Sequence, residues 1–191
     1  MPASPDKSQL IAWQRIHNFF EHFDLPDALN YVQTAIKAAA GIKVWNKQDP
    51  SELIYFTRHL HVLVKACRKI ALHKAFNKKA VLEICEGQTM PDITLHKQFV
   101  PKEYLHHAWA YVPRHLNSSQ YFDPFKVFKK VKAIYTKAEW KEILQDITEY
   151  ALSKTSVEVK YDAYELLKIR QLLLRIIEAC YLVVVRAGSE L

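Results

Sequence analysis

The sequence predicts an all-α protein: a helical bundle of two pseudo-twofold-related three-helix repeats joined by an irregular connecting segment. Three observations carry that expectation. Residues 49–67, DPSELIYFTRHLHVLVKAC, and 162–180, DAYELLKIRQLLLRIIEAC, share Asp, Glu, two Leu, Ala and Cys at positions 113 residues apart. Both stretches set apolar residues at helical spacing behind an acidic start. The correspondence continues toward the N-terminus at an offset of 112, where further helix starts and apolar faces align.

The first repeat is expected over about residues 5–76. Its first helix carries Trp13 and Ile16 on the core face. Asp24 and Asp27 open a second helix, with Tyr31, Val32, Ala35 and Ala38 along one side and Gly41 as its C-terminal cap. Asp49, Pro50 and Glu52 then supply an N-cap carboxylate, a proline at the first helical position and an acidic third residue. Behind them Leu53, Phe56, Leu60, Leu63, Val64 and Cys67 define the buried face of a long helix.

Residues 77–122 form the connecting segment, with EGQTMPDITLHKQFVPKE near its middle. Its prolines and polar residues read as loop, with short helices around 78–85 and 102–112. Phe99, Tyr104, Trp109 and Tyr111 are expected to pack it back on the bundle. The second repeat follows over about 123–187. Asp123 and Pro124 open it, Phe125 and Phe128 repeat Trp13 and Ile16, and Thr136 with Glu139 repeats Asp24 with Asp27. Ile143, Leu144, Ile147 and Tyr150 line the next helix. One extra loop residue before Asp162 changes the offset. Asp162 and Glu165 then start the last helix, whose core face is Leu166, Ile169, Leu173, Ile176, Ile177 and Cys180, with Gly188 just beyond. The whole of 1–191 is expected to be one compact domain.

Composition excludes several functions. Half the residues are hydrophobic and a quarter charged, an ordinary globular balance. Gly41, Gly87 and Gly188 are the only glycines, so neither a phosphate loop nor a dinucleotide fingerprint can be built. No GxSxG, HExxH or paired CxxC pattern occurs. Cys67, Cys85 and Cys180 are odd in number and MPASPDKSQL has no apolar export core, so a reduced, cytoplasmic protein is expected. The most apolar run, IIEACYLVVV, is interrupted by Glu178 and too short to span a bilayer.

Charge singles out two helix faces. Arg58, His61, Lys65 and Arg68 recur at spacings of three, four and three, which sets them on one stripe away from the core. The matching stripe of the second repeat, Gln171, Leu174, Glu178 and Tyr181, is more apolar, so that helix is expected in the middle of the bundle or at a dimer interface. In FKVFKKVKAIYTKAEWK, Lys126, Lys129 and Lys130 project outward while Phe125, Phe128 and Ile134 face inward. Residues 96–141 hold nine Lys or Arg against three Asp or Glu, which accounts for six of the net +7 charges. Two readings stay open for both faces: a solvated surface that keeps the protein soluble, or a surface for an anionic partner.

The histidines give no metal site. His96, His106, His107 and His115, with Cys85 nearby, lack a zinc spacing, and Glu52, His59 and Glu165 lack the repeated ExxH of di-iron bundles. No cofactor is implied. Arg68-Lys-Ile-Ala-Leu-His73 reads as R-x4-H, and with the all-helical outline it resembles the motif of HEPN proteins, which include metal-independent ribonucleases and nucleotide-associated helpers. That resemblance implies phosphate stabilisation by Arg68 and proton transfer by His73 near a dimer cleft. The duplicated layout with its IEAC helix also looks like uncharacterised bacterial helical proteins, which implies a fold and no activity. The leading expectation is a non-enzymatic interaction protein that binds nucleic acid, or else a partner protein, through its basic faces. An HEPN-like ribonuclease or nucleotide-binding helper is the alternative, and a homodimer is compatible with either.

Overall fold

The computed structural model describes residues 7–42, 45, 49–71, 110–153 and 156–187, and every regular element among them is helical. In chain order these are α1 (Lys7–His22), α2 (Leu25–Ala39), α3 (Pro50–Ile70), the short α4 (Ser118–Phe122), α5 (Phe125–Ile134), α6 (Lys137–Leu152) and α7 (Ala163–Ala187), with a 3-10 turn at Val157–Val159.

The helix starts follow side-chain chemistry. Asp24 accepts the Asp27 N–H at 2.8 Å, Asp49 accepts the Ser51 N–H at 2.9 Å, and Asp162 accepts the Glu165 N–H at 2.7 Å. Thr136 and Glu139 make a reciprocal capping box, with bonds of 3.2 and 2.6 Å that satisfy two otherwise orphaned donors. Glu52 lies in the first turn of α3 as expected, and its carboxylate also accepts the Tyr31 hydroxyl at 3.0 Å, which joins α3 to α2. A departure is α4, a helical turn inside the stretch expected to be irregular, held by a box between Asn117 and Gln120. The expected short helix at 78–85, residues 102–109 of the one expected at 102–112, Phe99, Tyr104, Trp109 and Gly188 lie outside the described residues, while Ala110 and Tyr111 form a 3-10 turn and Tyr111 is buried in the core.

Gly41 ends α2 at φ +70°, with its N–H on Ala38 O and the Ile42 N–H on Lys37 O, both at 3.0 Å. That pair of bonds is a Schellman cap, and it needs a left-handed residue. An added Cβ would meet only Ser156, at 3.5 Å, so the penalty of a side chain is conformational rather than steric. Gly41→Ala should lower stability by about 1 kcal/mol, read as a smaller denaturation midpoint at unchanged m-value. Gly41→Asn should lose less.

The two long helices bury the faces their spacing predicts. Leu53, Phe56, Leu60, Leu63, Val64 and Cys67 are buried in α3, as are Leu166, Ile169, Leu173, Ile176, Ile177 and Cys180 in α7. The middle of α7 is enclosed on every side, down to Ala179 and Val183, so it is the axis of the core. Packing does not follow chain order. Helix α1 lies on α3 and α5 lies on α7, but α2 leans on α6 and α7 and touches α3 lightly. Helix α6 in turn lies on α3 and α2. The Cys67 and Cys180 thiols meet in the core with Sγ atoms 3.0 Å apart, and burial, then the contact with Cys67, pushes the Cys180 thiol up.

Candidate anion-binding faces

Helix α3 presents Arg58 to solvent and holds His61, Lys65 and Arg68 half-buried. The bundle brings other cations to this stripe. Lys65 is held below its ordinary value first by burial and then by Lys137, Lys141 and Arg15. His61 is lowered by burial, then by Lys65, Lys141 and Lys137. Three helices therefore deliver like charges to one place: Arg15 from α1, Lys65 from α3, and Lys137 and Lys141 from the first turns of α6. Every charge that shifts Lys65 or His61 is positive. The His61 Nε2 atom is buried without a hydrogen-bond partner among the described residues. A buried nitrogen in that state is costly to the folded protein.

Arg68 is engaged differently. Its Nη1 donates to the carbonyls of Val131 and Lys132, each at 3.3 Å, and to that of Tyr135. These are the acceptors that the last turn of α5 leaves without helical partners, so Arg68 caps α5 from the neighbouring helix. Its charge also helps hold the Glu139 carboxyl low, behind the hydrogen bonds from Thr136. Arg68→Ala should cost about 1.5–3 kcal/mol of stability, the range for hydrogen bonds to a charged group, and should loosen amide protection at the α5–α6 corner. His73, the partner of Arg68 in R-x4-H, lies outside the described residues, as do Cys85, His96, His106 and His107.

Lys126, Lys129 and Lys130 are exposed on α5, opposite the buried Phe125, Val127, Phe128 and Val131. Lys130 also lines a half-open groove against α7. The remaining charged side chains that stand out are structural. Lys160 bridges Glu142 at 2.7 Å and Asp146 at 2.8 Å, and Tyr161 donates to Asp146 at 2.5 Å, which ties the α6–α7 turn to α6.

Glu178 is the counterpoint to the cationic stripe. It has no solvent exposure, yet it takes the N–H groups of Arg114, His115 and Leu116 at 2.7, 2.8 and 3.1 Å and the His115 ring Nδ1 at 2.7 Å. Arg175 reinforces the turn by donating its Nε–H to His115 O at 3.0 Å. One carboxylate thus anchors the segment that leads into α4.

Sequence spacing found His61 and Lys65 but not their neighbours. Lys137 and Lys141 are four apart, so their common face was readable, whereas nothing in the chain links Arg15 to them before the helices are packed. Among the described residues no three His, Cys, Asp or Glu side chains converge as metal ligands, and no helix is long and apolar enough to cross a membrane. No known protein family matches the chain, and no curated protein or solved structure is significantly similar to it.

Proposed function

We propose that this protein is a non-enzymatic helical interaction protein that binds nucleic acid through its basic faces. The observation that carries the reading is the convergence of Arg15, Lys137 and Lys141 on Lys65, with Lys65, Lys137 and Lys141 also beside the half-buried His61. Like charges gathered on partly desolvated positions oppose folding. Folding alone gives no reason to assemble them from three helices, but a phosphate backbone would offset their repulsion. The exposed lysines of α5 extend the positive surface.

The test is binding of labelled RNA and DNA across a series of salt concentrations. Replacing Lys126, Lys129 and Lys130 by Gln should weaken binding at low salt and lower the log–log salt slope by about 0.7–0.9 for each phosphate no longer neutralised. An unchanged slope in the folded triple variant would remove α5 from the interface.

The proposal extends to the origin of the bundle, as two related three-helix units, α1–α3 and α5–α7. Its support is that Cys67 and Cys180, equivalent at the 113-residue offset, are within 3.0 Å of each other, as residues beside a local twofold would be. The packing pairs also interchange: α1 on α3 with α5 on α7, and α2 on α7 with α6 on α3. Under that equivalence Lys65 corresponds to Glu178. One unit uses the position to anchor its own chain, and the other gathers cations there.

A further inference from the structure

We propose that the groove between α5 and α7 is a single-strand site, in which Tyr164 stacks on an unpaired base and Lys130, Lys168 and Arg175 hold the adjoining phosphates. The proposal rests on the nucleic-acid reading above and narrows it to unpaired strands. The groove encloses about 340 Å³, at the small end of the pockets that take organic rings. Its floor is apolar, from Ile134, Leu167 and Leu172, and among the described residues no acidic side chain lines it.

Tyr164 is 78% exposed and Leu167 54%, an unusual display of apolar surface at the start of a helix whose middle is fully buried. A ring so placed gains nothing from the core, but it offers a flat face to a base. The cations are set around it. Lys168 holds its Nζ 5.8 Å from the centre of the Tyr135 ring, and Arg175 is steadied by its bond to His115 O. Lys130 stands on the opposite wall, and Gln171 adds an amide that can meet a base edge. Glu165, whose charge is felt at Tyr135 and Tyr161, does not line the groove. An aromatic face flanked by cations, with no carboxylate in the lining, is the combination that tracks a single strand, whereas the bases of a duplex are already stacked on each other.

The experiment uses the full chain with oligonucleotides of about 12 nucleotides, within the usual range of single-strand sites. Fluorescence anisotropy would compare a single-stranded RNA, a single-stranded DNA and a duplex of the same length. Tyr164→Ala should weaken single-strand binding by about 5- to 150-fold, the range for one stacked base, and leave duplex binding unchanged. Tyr164→Trp should retain the affinity. Tyr164 is exposed, so a matching circular dichroism spectrum is expected of both variants. Single-strand binding that ignores Tyr164→Ala overturns the groove assignment but leaves the nucleic-acid reading standing. Binding of neither RNA nor DNA at low salt sinks both. An acidic peptide whose binding requires Tyr164, with no such requirement for single strands, would reassign the groove to a protein partner.

Discussion

Glu178→Ala is expected to cost about 3–5 kcal/mol, a large part of the stability of a domain of this size. The side chain has no contact with solvent, so its charge is tolerable only because three N–H groups and the His115 ring surround it. Truncation removes the acceptor and strands several donors at once. Leaving a buried donor unmet is more damaging than never having made the bond. Glu178→Gln should lose less, because one carbonyl oxygen remains, although its amide would point N–H groups at N–H groups. His115→Ala should be milder still, since it removes a single bond at a half-buried position. Urea denaturation gives the ranking, and hydrogen exchange at Arg114, His115 and Leu116 gives the location. A Glu178→Ala variant as stable as the parent, with those amides still protected, would show that water or a rearranged loop replaces the carboxylate.

The residues behind that prediction mark where sequence reasoning stops. Local signals were readable. Asp49 before Pro50 and Thr136 before Glu139 fix helix starts through bonds within one turn, and the faces from Leu53 to Cys67 and from Leu166 to Cys180 follow a period that only burial explains. Glu178 was visible as a charge interrupting an apolar run, but its role depends on backbone donors more than 60 residues away. Arg68 was readable as a member of a basic stripe or of R-x4-H. That it caps α5 depends on where α5 ends, which no spacing along α3 encodes. The same holds for the cationic cluster: periodicity orders side chains along one helix, and only packing decides which helices share a face.

Neutralising that cluster should have opposite effects on stability and on binding. The variant Lys65→Gln, Lys137→Gln, Lys141→Gln removes like charges that now depress Lys65 and His61, so the free protein should become more stable by about 0.5 kcal/mol, a screened surface value. Polyanion binding should fall at low salt by on the order of 100-fold, with a shallower salt slope. Acid titration supplies a separate handle. His61 sits below its ordinary 6.5 through burial and then through Lys65, Lys141 and Lys137, and His59 sits low through burial and then His22. A histidine depressed in the folded state takes up its proton more readily when unfolded, so stability should decline as pH falls from about 6.5. The triple variant should soften the His61 share of that decline and leave the His59 share. Bound nucleic acid should oppose the same decline, because phosphate favours the charged imidazole. If the triple variant binds as tightly as the parent while gaining stability, the cluster is a tolerated repulsion and the nucleic-acid surface lies elsewhere. Loss of binding together with gained stability is the expected result, since a patch that weakens the empty fold is then the one that holds the partner.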